Sequence, residues 1–189
     1  MSVSKQHHVA LTVKDLERSV RFYTRELGLI HDDTVALDEK AAYRMFGIVG
    51  VTVRSALLFT PRGHRIDLHQ FSSGKNSRVE LQFDRPGFQH LGLGVENLED
   101  LGKRLELDGV EIVTAPFQTP TGEKLAFIRD PDGVVLQLIE ENCWTSRLAR
   151  IALPARLWFG RSRRRRAQAL VGTAMSCSDL PPETPPAAR

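Results

Sequence analysis

Cysteine is scarce in this sequence. Cys143 and Cys177 are its two cysteines among 189 residues, and they lie 34 positions apart. Two thiols at that separation match no metal-ligand motif, and they do not define a disulfide framework. The sequence therefore predicts free thiols in a reducing compartment.

Long apolar runs are also missing. No stretch approaches the ~18 consecutive apolar residues that a membrane-spanning helix needs. Residues 1–6 have no apolar core of the kind that a secretory signal carries. With 41% hydrophobic and 26% charged residues, the sequence predicts a globular protein without a transmembrane segment, located in the cytoplasm.

The charge is divided unevenly along the chain. From Cys143 to the end there are nine arginines against two acidic residues, a net charge of +7, so residues 1–142 carry −4 of the whole chain's +3. We expect one domain at 5–142 and a basic, proline-rich, partly disordered extension at 143–189. The four arginines at 163–166 could attract nucleic acid or acidic lipid, and the stretch before them could lie on a membrane. A solvated extension is the favoured interpretation, with no specific nucleic-acid partner.

An internal repeat organises the domain. Residues 8–13, followed by Asp-Leu-Glu at 15–17, correspond to residues 90–95, followed by Asn-Leu-Glu at 97–99, 82 positions later. Each copy has the pattern of a short strand, a capping residue and a helix. The apolar positions of each predicted helix fall on one face, with steps of three or four residues: Leu16, Val20, Tyr23 and Leu27, then Leu98, Leu101 and Leu105.

Strand-like segments follow both predicted helices. Each half therefore has the pattern β-α-β-β-β, which predicts an α+β fold of two modules at 5–71 and 79–142 with a polar linker at 72–78. The segments are 49–60 and 65–71 in the first module, and 110–113, 125–129 and 134–140 in the second.

Alternation along the strands sorts their side chains onto two faces. One face of each module is apolar and is expected to pack beneath the helix. The opposite face carries His8 and Asp67 in the first module and His90 and Gln137 in the second, and each histidine opens a face of small residues. Two imidazoles and two oxygen donors suit a divalent ion such as Zn, Ni, Co, Mn or Fe.

Several motifs resemble the glyoxalase, bleomycin-resistance and extradiol-dioxygenase superfamily, also called vicinal oxygen chelate proteins. They are Val-Lys-Asp-Leu-Glu at 13–17, Phe-Tyr at 22–23, Leu-Gly-Leu at 27–29, Gln-His-Leu-Gly at 89–92 and Asp-Pro-Asp-Gly-Val-Val-Leu-Gln-Leu at 130–138. The resemblance covers roughly residues 5–142. It implies paired modules that form an incomplete barrel around a pocket, often within a homodimer. It also places metal ligands on the first and last strand of each module, which here are His8, Asp67, His90 and Gln137.

Two of these positions depart from the superfamily pattern. The position of Asp67 is usually Glu or Gln, and that of Gln137 is usually Glu. Glutamine can offer a carbonyl oxygen to a metal, but it cannot accept a catalytic proton. Asp67 or His69 would therefore act as the base. Asp67 alone offsets one of the metal's two charges, and the residual charge would favour an anionic oxygen ligand.

Three functions are compatible with these residues. The first is a metal-dependent lyase or isomerase of the glyoxalase or epimerase type, which polarises a carbonyl and stabilises an enolate of a small-molecule substrate. The second is a metal-independent protein that binds a small molecule such as an antibiotic, and the third is an extradiol-type dioxygenase.

A metal-free interpretation of the site residues is also open. In it the two histidines are hydrogen-bonding groups, Asp67 is salt-bridged or solvated, Gln137 is a pocket wall and His69 is a pocket residue. His7, His31 and His64 show no pattern and are expected at the surface. The segments 35–60 and 114–124, where pocket specificity is expected, carry no readable motif.

Overall fold

The computed structural model describes residues 5–74 and 86–141 of the chain, all within one compact unit, Met1–Glu141. The predicted extension at 143–189, with its cysteines and its arginine run, lies outside the described residues, as does part of the predicted linker. No helix within the described ranges is long and apolar enough to cross a membrane.

The first module is a four-stranded mixed sheet with two helices. The strand order is β1-β4-β3-β2, with β1 parallel to β4 and the other neighbours antiparallel. Its elements are β1 (His8–Thr12), α1 (Leu16–Arg21) continued by a π-helical turn (Phe22–Glu26), β2 (Ile30–Leu37), α2 (Glu39–Phe46), β3 (Val53–Phe59) and β4 (Arg65–Phe71).

The second module repeats this topology without the second helix. Its strand order is β5-β8-β7-β6, again with one parallel pair at the first strand. Its elements are β5 (Leu91–Val95), α3 (Leu98–Leu107), β6 (Ile112–Gln118), β7 (Lys124–Arg129) and β8 (Val135–Glu140). The predicted α+β fold of two related modules is confirmed, and the described strands form no closed barrel.

The first module has the predicted β-α-β-β-β order with an added helix, but one of its strands had no predicted segment. The strand β2 was missed because its first seven residues are all exposed, so hydrophobicity does not alternate along it. The helix α2 was missed although its caps are present in the sequence. Asp38 accepts a hydrogen bond from the Ala41 N–H at 2.8 Å, and Gly47 ends the helix at a φ of 71°, a conformation that favours glycine.

The predicted helix starts are confirmed. Asp15 caps α1 by accepting from the Arg18 N–H at 2.9 Å, and Asn97 caps α3 by accepting from the Asp100 N–H at 3.1 Å. The first helix does not stay α-helical to Leu27, however, because it widens into the π-helical turn at Phe22–Glu26. Such turns insert an extra residue into the helical repeat.

The predicted apolar faces form the core. Leu68, Leu136 and Leu138 are fully buried, and the side chains from both modules belong to one continuous cluster. Burying each such side chain stabilises the fold by roughly 1.5–3 kcal/mol relative to leaving it in water. The other buried members from the strands and helices include Leu11, Val13, Leu16, Tyr23, Leu58, Ile66, Leu98, Leu105 and Ile128.

Polar contacts tie α1 to the turn between β7 and β8. The Tyr23 hydroxyl donates to Asp130 at 2.9 Å, and both side chains are buried. Arg18 and Ser19 donate to Asp132 at 2.5 and 3.1 Å. The Asp-Pro-Asp-Gly segment, predicted to be a turn and not a metal loop, thus also joins the two modules.

Glu26 gives a testable pH effect at the same junction. Burial and, next, the hydrogen bond with Asp108 raise the pKa of the Glu26 carboxyl. A raised folded-state pKa means that this group's contribution to stability is lost as the pH rises through that value. We expect Glu26→Gln to raise the free energy of unfolding at pH 7 by roughly 0.5 kcal/mol or less, because the group is partly solvated. Urea unfolding at pH 4 and pH 7 measures this, and an increase as large at pH 4 as at pH 7 would contradict it.

Candidate active site

The first pair of predicted ligands lies on the face of the first sheet that points away from the core, called here the open face. His8 opens β1, and Asp67 lies on the neighbouring strand β4, opposite Ala10. The His8 Nε2 atom is 3.8 Å from the Asp67 Oδ2 atom. Asp67 is 3% exposed, whereas the His8 side chain is 40% exposed. The structure thus brings His8 and Asp67 together.

Arg65 contacts the first pair and was not among the residues predicted from the sequence. Its Nε and Nη2 groups donate to the two carboxylate oxygens of Asp67 at 2.6 and 2.7 Å. Arg65 is also the register partner of His8 across β1 and β4. The available signal was parity, because a residue two positions before Asp67 on a strand must share its face.

His69 lies deeper on the same open face. Its Nδ1 atom is 2.6 Å from the Ser55 hydroxyl, across β3 and β4. The Phe46 ring of α2 packs edge-on against the imidazole, with centroids 5.5 Å apart. Burial lowers the pKa of His69, although the nearby Asp67 carboxylate works in the opposite direction. The ring is therefore oriented by Ser55 and Phe46, and burial favours its neutral form.

The second pair lies on the open face of the second sheet. His90 directly precedes β5, and its ring packs against Phe127 with centroids 5.6 Å apart. Phe127 is the register partner of Gln137 across β7 and β8. A Cβ added at Gly92 would lie 3.7 Å from the Gln137 Oε1 atom. Such a contact would be an ordinary van der Waals one, so Gly92 and the Gln137 amide are neighbours on this face.

The four predicted ligands therefore form two pairs on two sheets. Within residues 5–74 and 86–141, no three His, Cys, Asp or Glu side chains come close enough together to hold a metal ion. The structure joins His8 to Asp67, and it places His90 and Gln137 on a common face. It does not bring His8, Asp67 and His90 together.

A cleft of about 680 Å³ adjoins the first pair. It is bounded by the start of β1, the turn between β3 and β4, and β5. His8 and Arg65 line it, and so does Gly92 of the second sheet. Basic side chains predominate among the charged lining residues, which are Lys5, Arg62, Arg65 and Glu141, and Arg62 is ion-paired with Glu141.

The remaining histidines of the described chain lie at the surface, as predicted. His7 packs edge-on against the His8 ring, with centroids 5.1 Å apart. His31 contacts the Thr34 hydroxyl at 2.9 Å within the exposed strand β2. His64 is exposed and borders the cleft.

Known proteins with similar sequences fit this architecture. The chain is 27% identical over 134 residues to the lactoylglutathione lyase of Salmonella typhimurium, covering 70% of this chain and 90% of that one. It is 26% identical over 143 residues to the uncharacterized protein YwkD of Bacillus subtilis, covering 75% and 100%. A crystal structure of a glyoxalase family protein from Bacillus cereus superposes with a TM-score of 0.66 at 25% identity, covering 75% of this chain and 96% of that chain.

The match to the family is broad. The sequence profile described as "Glyoxalase/Bleomycin resistance protein/Dioxygenase superfamily" matches residues 5–138, which include both modules and all four predicted ligands. With its repeated topology and its two open faces, this chain belongs to the glyoxalase, bleomycin-resistance and dioxygenase superfamily.

Proposed function

We propose that the protein is a metal-dependent lyase or isomerase of the glyoxalase or epimerase type, acting on a small carbonyl compound. The observation that carries this proposal is the 3.8 Å approach of His8 to Asp67 on the open face. In the second sheet, Gln137 lies on β8, which corresponds to β4, and His90 directly precedes β5, which corresponds to β1. The lactoylglutathione lyases among its relatives make lyase chemistry the best-supported class.

The donor set fits a divalent metal. Two imidazole nitrogens, one carboxylate and one amide oxygen suit Zn, Ni, Co, Mn or Fe, and His8 and Asp67 are already near the separation of neighbouring ligand atoms. His8, Asp67, His90 and Gln137 would hold the ion. When bound, it would polarise the substrate carbonyl and stabilise negative charge on its oxygen.

His69 is a better candidate for the base than Asp67. Both Asp67 oxygens already accept hydrogen bonds from the Arg65 guanidinium, and Asp67 is also a proposed metal ligand, so this carboxylate has other partners than a substrate proton. In the tautomer whose Nδ1–H donates to Ser55, the His69 Nε2 atom presents a lone pair. His69 would then remove a proton next to the substrate carbonyl and return it to the product.

A second copy of the chain would complete each site. The open faces of both sheets carry exposed residues, among them Ala10, Thr12, Gly92 and Gly94, and the strand β2 is exposed along nearly its whole length. We therefore propose a homodimer in which His8 and Asp67 of one copy face His90 and Gln137 of the other.

Metal analysis of purified, reconstituted protein tests both proposals. We expect one metal ion per chain for the wild type, and none at stoichiometric level for His8→Ala or for His90→Ala. If the two variants are unfolded and refolded together, a heterodimer has one site with both histidines and one site with neither. The mixture should then regain about one metal ion per heterodimer, with His31→Ala, an exposed strand histidine, as the control that binds like the wild type.

Each outcome is decisive for one part of the proposal. Wild-type protein that lacks stoichiometric metal after reconstitution would rule out the metal-dependent function. Metal binding that each single variant loses and the mixture does not regain would place both pairs in one chain and would rule out the shared site.

A metal-independent binding protein is the second candidate. The observation that favours it is the Arg65–Asp67 pairing, because a carboxylate held by a guanidinium at both oxygens does not need a metal to balance its charge. Thermal stabilisation by a candidate ligand that persists in excess chelator would support this function. Stabilisation that requires the metal would support the enzyme.

A further inference from the structure

Arg65 lines the cleft, and within residues 5–74 and 86–141 one edge of its guanidinium makes no hydrogen bond. The side-on edge of its guanidinium, Nε and Nη2, is occupied by Asp67. The end-on edge, formed by Nη1 and the second hydrogen of Nη2, has no partner among residues 5–74 and 86–141. A guanidinium edge of this kind matches the two oxygens of a carboxylate. Asp67 orients the guanidinium through both oxygens, and an asparagine at this position would keep one oxygen that accepts from Arg65.

The surroundings of Arg65 favour an anion. The charged residues that line the cleft are Lys5, Arg62, Arg65 and Glu141, and Glu141 is already paired with Arg62. Arg65 also changes the charge of the proposed metal centre. With the Asp67 carboxylate balanced by Arg65, both charges of a divalent ion would be left for a bound ligand to offset.

The position of Arg65 limits the size of that ligand. The Arg65 Nη2 atom and the His8 Nε2 atom lie 2.7 and 3.8 Å from the same oxygen, Asp67 Oδ2, so the two nitrogens are no farther apart than the span of a small molecule. A carboxylate attached directly to a carbonyl carbon spans such a distance. A long substrate with its carboxylate at the far end would not need a carboxylate-binding group this close to His8.

We propose that Arg65 binds the carboxylate of a small substrate whose reacting carbonyl is adjacent to it, a 2-oxo or 2-hydroxy carboxylate. This inference rests on the proposed function for the role of the molecule as a substrate. The binding of the anion itself needs only Arg65 and can be measured without metal.

The test compares a carboxylate with its amide on metal-free protein. Pyruvate and pyruvamide share shape and carbonyl, but only pyruvate carries the charge. We expect a ligand-detected NMR titration to show pyruvate binding at least tenfold tighter than pyruvamide to the wild type. Arg65→Gln leaves the buried Asp67 carboxylate unpaired and can disturb the fold. The informative pair is therefore Asp67→Asn, which keeps Arg65, and the double variant Arg65→Gln/Asp67→Asn, which is neutral at both positions.

The expected result is that Asp67→Asn retains the preference for pyruvate and the double variant loses it by at least tenfold. Arg54→Gln, on the neighbouring strand and paired with the exposed Glu17, should bind like the wild type. Equal affinity for pyruvate and pyruvamide, no detectable pyruvate binding, or a double variant that keeps the preference would overturn the inference. Metal content of the same wild-type preparation, measured after reconstitution, reports on the proposed function separately.

Discussion

Replacing Asp130 with alanine is expected to lower the free energy of unfolding by roughly 3 kcal/mol, because one buried and two partly buried donors lose their acceptor. The Tyr23 hydroxyl lies 2.9 Å from the carboxylate, and the backbone N–H groups of Asp132 and Val134 lie 2.9 and 2.8 Å from it. Asp130 is 3% exposed, so water cannot replace it without rearrangement. Urea unfolding at pH 7 measures the change.

Two further variants serve as comparisons for Asp130→Ala. Asp130→Asn keeps one oxygen acceptor for the backbone groups and should be less destabilised than Asp130→Ala. Asp32→Ala, at an exposed position on β2, should change stability little. A destabilisation of Asp130→Ala no larger than that of Asp32→Ala would show that the turn does not hold the modules together.

The pH dependence of the Asp130→Asn variant has a predicted sign. Burial raises the pKa of Asp130, and this outweighs the hydrogen bonds that lower it. The stability gained from binding a proton there is present at low pH and is lost as the pH rises through the folded-state pKa. The free energy of unfolding of the wild type, relative to that of Asp130→Asn, should therefore fall from pH 4 to pH 7. A rise in this relative stability over the same range would contradict the prediction.

Replacing Arg65 with methionine is expected to destabilise the fold by about 3 kcal/mol, because it leaves the Asp67 carboxylate buried without a partner. The Asp67 side chain is 4% exposed, whereas Arg65 is 29% exposed, so the aspartate has the greater need for the interaction. Arg65→Met/Asp67→Asn removes both charges and should recover most of the loss. Thermal and urea unfolding of the two single variants and the double variant complete the cycle.

The Arg54–Glu17 pair provides the matched comparison. Both of its side chains are about half exposed, and exposed pairs typically contribute about 0–1 kcal/mol. Arg54→Met should therefore change stability far less than Arg65→Met. Additive effects of Arg65→Met and Asp67→Asn would show that the two groups do not interact energetically.

Local patterns predicted much of the fold. Asp15 and Asn97 cap the helices at the predicted residues, and the two-residue alternation placed Leu68 in the core and Asp67 on the open face. These features depend on neighbours within one turn of helix or one step of strand, so the sequence contains the necessary information. The strand β2 was missed because both of its faces are exposed and no apolar alternation marks it.

The candidate site was predicted less completely. His8 and Asp67 share a face by parity alone, but the hydrogen bonds from Arg65 depend on its rotamer. The Ser55–His69 contact depends on the register between β3 and β4, which the sequence does not state. That His90 and His8 bind the same metal ion remains a prediction, because it depends on how the open faces of two copies pair.

The sequence by itself determined the duplicated modules, their helix starts, and which side chains each strand turns toward the core or away from it. The tertiary structure alone decided that Asp130 holds Tyr23 from 107 positions away and that Arg65 balances Asp67. The physical reason is the distance along the chain over which each effect acts. Helix and strand periods repeat within a few residues, whereas the partners of a buried polar group are set by the packing of distant segments, where any donor of suitable shape can satisfy it.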